Sequence, residues 1–92
     1  MKSLESLRKE IDQLHKDLYQ LLRKRRDLTV EIWKLKQAQG EPFFDPAREE
    51  QILKDFVKLH QDTPRDTAME NLLQGVMSNL LREYEKYLKQ QF

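Results

Sequence analysis

Leu4, Leu7, Ile11, Leu14, Leu18, Leu21, Leu28, Ile32 and Leu35 recur along the chain at alternating steps of three and four residues. That spacing predicts the apolar seam of one long amphipathic helix, and no Gly or Pro interrupts it. One member of the series is out of character: position 25, where the step calls for an apolar residue, holds Arg25. A guanidinium in an apolar seam is costly unless something anionic meets it there. Ser3 is the expected N-cap, with Ser6 as a second candidate. The helix should end at Gln39-Gly40, where Gly40 can take the left-handed C-terminal conformation and Pro42 blocks continuation.

Glu41 to Phe44 form a short connection whose two Phe side chains are expected to tuck into the core. Asp45-Pro46 reads as an N-cap followed by proline at the first helical position. The second helix carries Ile52, Leu53, Phe56, Val57 and Leu59 and gives out around His60-Gln61-Asp62, before Thr63-Pro64. Thr67-x-x-Glu70 has capping-box form and opens a third helix. That helix carries Met69, Leu72, Leu73, Val76, Met77, Leu80, Leu81, Tyr84, Tyr87 and Leu88. The expected fold is all-α: three helices, long, short and medium, in one domain over residues 1–92.

Length changes the picture. At ~1.5 Å per residue the first helix runs roughly 50 Å. A compact globule of 92 residues has a diameter nearer ~30 Å. The helix is therefore expected to overhang its own domain, and an uncovered apolar overhang invites aggregation. A twofold homodimer is the economical way to cover it.

Composition narrows the function classes. Charged residues make up 36% of the chain against 38% hydrophobic, and the net charge is +1. Such a balance gives no global field to draw in nucleic acid or an anionic membrane. Cysteine is absent, so disulfide and thiolate chemistry are excluded. No apolar stretch is long enough to span a bilayer, and Met1-Lys2-Ser3 leads into the helix without a signal sequence, so cytoplasm is the expected compartment. Neither a phosphate loop, a nucleophile–base pair nor a zinc pattern is present, so no cofactor or metal is expected. His15 and His60 lack ligand spacing and read as surface or packing residues. Trp33, the Met residues and the three Tyr read as core and dimer packing.

The candidate chemistry lies with polar residues in apolar places. Arg25 and Lys36 are eleven residues apart, so about 20° separates them around the helix and ~16 Å along it. Arg8 points about 100° away from Arg25 on an ideal helix, yet in an antiparallel dimer it could serve the other chain's pocket. Three cations so placed suit a small dicarboxylate, Arg offering a rigid fork and Lys a mobile point charge. The competing reading takes Arg23-Lys24-Arg25-Arg26 as a solvated basic run. Lys36 and Arg8 can equally snorkel at a seam edge. Glu49 heads the apolar stripe of the second helix, where it could meet a cation or a ligand hydroxyl, or simply favour the helix dipole. Asp45 is already explained as an N-cap.

Taken together, Leu7-Arg8-Lys9-Glu10-Ile11-Asp12, Leu21-Leu22-Arg23-Lys24-Arg25-Arg26, Lys36, and Pro42-Phe43-Phe44-Asp45-Pro46-Ala47-Arg48-Glu49 resemble the all-helical chorismate mutase family, over residues 4 to about 59 without gaps. The resemblance implies three-helix chains intertwined as a homodimer, with each active site lined by both subunits. It implies the conversion of chorismate to prephenate on the route to phenylalanine and tyrosine. By position, Arg25 would bind one substrate carboxylate and Arg8, from the partner, the other. Lys36 would hydrogen-bond the ether oxygen, Asp45 and Glu49 would contact the ring side and its hydroxyl, and Arg48 would brace the carboxylate cluster.

The third helix departs from the family pattern, in which a small polar residue is followed four positions later by Gln or Glu at the ether oxygen. One register places Leu80 and Tyr84 there. A slip of one residue places Asn79 and Glu83 there. Two other functions therefore stand beside the mutase: an enzyme similar to the isochorismate pyruvate lyases, and a non-catalytic helical interaction module on the same scaffold.

Overall fold

The computed structural model describes residues 2–60 and 66–92. Three α-helices follow one another, α1 (Leu4–Gln39), α2 (Pro46–Lys58) and α3 (Thr67–Gln91), with no strand among the described residues. The chain divides into two compact units, Met1–Glu41 and Pro42–Phe92.

The first unit is α1 with its caps. The Ser3 side chain accepts a hydrogen bond from the Ser6 N–H at 3.1 Å, satisfying one of the donors that a helix start leaves open. At the other end Gly40 adopts φ 70°. Its N–H donates to the Gln37 carbonyl at 3.3 Å and the Glu41 N–H donates to the Lys36 carbonyl at 2.9 Å. This is a Schellman closure, and it fixes the backbone around Lys36. Ion pairs Glu5–Lys9 and Lys2–Glu10 lie on the exposed surface and contribute little.

Two stripes run along α1. All nine seam residues are exposed, from Leu7 at 44% to Leu4 at 64%. The covered positions are others: Trp33 is buried, and Leu22, Arg25, Arg26, Thr29, Val30 and Lys36 are half-buried. Taking about 100° per residue, Leu21, Leu28, Ile32 and Leu35 centre some 50° to one side of Arg25, and the covered residues centre about 70° to the other. Arg25 stands on the border between an exposed leucine stripe and a covered one.

The second unit packs α2 against α3. Asp45 caps α2 through its carboxylate, which accepts from the Arg48 N–H at 3.1 Å, with Pro46 in the first turn as expected. Ile52, Leu53, Phe56 and Val57 are half-buried, whereas Leu59 is exposed and already serves as the C-cap. The helix thus stops short of the expected His60-Gln61-Asp62, of which Gln61 and Asp62 lie outside the described residues, as does Thr63-Pro64. In α3, Met77 and Leu88 are buried and Met69, Leu73, Leu80, Leu81 and Tyr84 half-buried.

Two local expectations need correction. The N-cap of α3 is Asp66, not Thr67: the Asp66 carboxylate accepts from the Met69 N–H at 3.0 Å and Thr67 is already helical. A carboxylate both accepts the open N–H and complements the positive end of the dipole, which a hydroxyl does less well. Of the two connecting Phe residues only Phe43 is half-buried, its ring centroid 5.6 Å from that of Phe92, while Phe44 is 46% exposed.

The Gly40 closure generates a prediction. No atom lies within 4 Å of where a Cβ would stand, so a side chain there meets open space and only the left-handed backbone opposes it. Gly40→Ala should therefore lower stability by about 1–2 kcal/mol, and Gly40→Asn by less, as read from urea midpoints at unchanged slope.

Candidate functional site

The basic run of α1 splits when placed on the helix. Arg23 and Lys24 are exposed, and the Arg23 guanidinium lies 5.8 Å from the centroid of the exposed Tyr19 ring. Arg26 engages Asp27 at 2.9 Å near the surface. Arg25 behaves differently: it is half-buried, and its Nη1 is shielded from solvent. The Thr29 hydroxyl donates to the Arg25 carbonyl at 2.7 Å, one turn along the same covered face. The solvated-run reading therefore applies to Arg23 and Lys24 and fails for Arg25.

Lys36 shares that covered face and is half-buried in the last turn, where the negative end of the helix dipole favours a cation. Within this unit the structure thus brings Arg25 and Lys36 onto one partly enclosed strip lined by Leu22, Thr29, Val30 and Trp33. Removing water from around a guanidinium and an ammonium strengthens their attraction for any anion that reaches them. Arg8 is not part of the strip. It stands on the first half of α1, where among residues 2–21 only Ser6 is other than exposed.

In the second unit the first turn of α2 gathers three candidates. Asp45 is exposed and committed to the Arg48 N–H, and the Glu49 N–H donates to the Asp45 carbonyl at 3.1 Å. Glu49 is half-buried, whereas Arg48 is exposed. On α3, Tyr84 is half-buried, and Glu83 is exposed with its carboxylate on the Lys86 ammonium at 3.3 Å. The two registers considered for α3 therefore differ in burial: one presents a partly enclosed phenol, the other a solvated ion-paired carboxylate.

Of the second face of α1 the leucine seam reveals nothing, and Trp33 alone is expected in the core, where it lies. The signal was present, since Leu22, Val30 and Trp33 are apolar and lie off the seam. Phe92 was missed as well, although it stands one turn beyond Leu88 and so on the same side of α3. No group of His, Cys, Asp and Glu arranged to hold a metal ion is found among the described residues, and no helix there is long and apolar enough to cross a membrane.

Comparison with known proteins places the sequence among relatives. Over 83 residues, 90% of the chain, the sequence is 34% identical to the T-protein of Haemophilus influenzae. The chain spans about a fifth of that protein, 21% of its length. Residues 7–86 match the profile of chorismate mutase type II, a span holding every candidate from Arg8 to Tyr84. The chain belongs to the chorismate mutase type II family.

Proposed function

We propose that this chain is a chorismate mutase acting as a homodimer, and that it rearranges chorismate to prephenate. The observation that carries this reading is the placement of Arg25 and Lys36 on one half-covered strip of α1 in a chain of that family. The reaction is an isomerisation: the ether C–O bond breaks as a C–C bond forms, and no proton, electron or co-reactant enters. Catalysis then reduces to holding the extended substrate in its folded reactive conformer and meeting the charge that develops on the ether oxygen.

Each residue takes a role on that basis. Arg25 binds one carboxylate, and its partial enclosure favours a rigid, permanently charged fork over a lysine. Lys36 donates to the ether oxygen, held by the backbone that the Gly40 closure fixes. Glu49 accepts from the substrate hydroxyl, with Asp45 beside it and Arg48 bracing the carboxylates. Arg8 reaches the second carboxylate from the partner chain, since its exposed position on α1 leaves it available to a neighbour. The exposed leucine stripe of α1 supports the dimer, because it is the part of the helix left to be covered.

Tyr84 supplies the second donor at the ether oxygen. Its partial burial supports this choice over Glu83, which is solvated and ion-paired.

Two measurements test these assignments. Arg8→Ala and Arg25→Ala chains should each be inactive yet keep the helical signal. Mixed one to one under subunit exchange, half the dimers are mixed and each holds one undamaged site, so about a quarter of wild-type activity should return. Exchange without recovery would place Arg8 outside the partner's site.

The second compares Tyr84→Phe with Glu83→Gln across pH. Tyr84→Phe should lose on the order of 100-fold in kcat, the usual cost of one preorganised donor, and Glu83→Gln should match wild type. A wild-type rate that falls with rising pH, with that fall abolished in Glu83→Gln, would move the role to Glu83, which can donate only when protonated.

A further inference from the structure

The connection before α2 is tied to the end of α3 by a pair of aromatic rings. Phe43 and Phe92 have their centroids 5.6 Å apart and their planes tilted by 48°, an arrangement in the attractive range for offset aromatic pairs. Phe92 stands on a firm base: its N–H donates to the Leu88 carbonyl at 3.0 Å, and Leu88 is 2% exposed, the most deeply buried residue described. Phe43, half-buried, is two residues before the N-cap Asp45 and three before Pro46. Pro46 restricts the residue before it to extended backbone, and Asp45 has φ −128° and ψ 94°. Three residues of extended chain reach only ~10 Å, so little slack separates the Phe43 ring from the first turn of α2.

The geometry points to Phe92 as a positioning residue for the carboxylates of that turn. Its ring, carried at the end of α3, clamps Phe43 and thereby sets the connection from which Asp45 and Glu49 are presented. Phe44, one residue further on, is 46% exposed against 39% for Phe92, and it is the Phe43 ring that meets Phe92. The catalytic consequence rests on the chorismate mutase reading; the clamp itself does not. With the ring removed, the connection samples other conformations, and the fraction of molecules presenting Asp45 and Glu49 correctly falls. A substrate that binds only the competent fraction meets a proportionally higher KM, while kcat from the bound state is preserved.

The test has a structural and a kinetic arm. In Phe92→Ala, backbone 15N order parameters over residues 43–49 should fall from about 0.85 toward 0.6, while those of residues 76–81 in mid-α3 stay unchanged. Phe92→Trp should restore them. Phe43→Leu should produce the same loss, and the Phe43→Leu/Phe92→Ala pair should lose no more than either alone, as for two residues in one contact. With chorismate, KM of Phe92→Ala should rise about threefold to tenfold with kcat within about twofold of wild type.

Unchanged order parameters at residues 43–49, or additive losses in the double variant, would overturn the clamp. So would a fall in kcat at constant KM. A wild-type protein inert toward chorismate would overturn the proposed function and leave the order parameters to decide the clamp.

Discussion

The leucine stripe of α1 is the constraint on which the rest depends. Fully burying a Leu or Ile side chain is worth about 1.5–3 kcal/mol, so covering one that is half exposed recovers roughly 1 kcal/mol. Nine such side chains line α1. Together they represent on the order of 10 kcal/mol, comparable with the whole net stability of an ordinary domain. Among the described residues, exposed ion pairs such as Glu50–Lys54 and Glu83–Lys86 are each worth less than about 1 kcal/mol. Our reading gives the stripe to a second copy of the chain, and the same pairing would carry Arg8 to a neighbour's site.

Arg25 takes its meaning from this arrangement. A guanidinium on a fully exposed face would be screened by water, and one buried among leucines alone would cost several kcal/mol. On the border of the two stripes it is partly desolvated without being sealed off. That is the condition under which a fixed cation binds an incoming carboxylate strongly and still releases it. Lys36 lies on the same face, beside the Gly40 closure, and carries a more mobile charge.

What could be read from the residues followed how local the cause was. Ser3, Gly40 and Asp45-Pro46 act through their own side chains or backbone on the next few residues, and each sits where its chemistry placed it. Asp66 prevailed over Thr67 because two adjacent capping residues competed and only their relative strength separated them. Arg25 was legible as a break in a periodic series. The covered face around it was not, because a helix with apolar residues on more than one side does not reveal which side is filled. The α3 register at Tyr84 and Glu83 and the pairing of Phe43 with Phe92 depend on contacts between residues far apart in the sequence. Periodicity along one helix carries no information about those.

On the proposed function, these fixed cations accelerate a rearrangement without any added reagent. The direct measurement is to incubate the purified protein with chorismate, with no metal or cofactor supplied, and follow the loss of its ultraviolet absorbance. Saturable turnover well above the uncatalysed rate is expected, with prephenate as the sole product. Absorbance loss no faster than in buffer, or a product that has lost pyruvate, would contradict it.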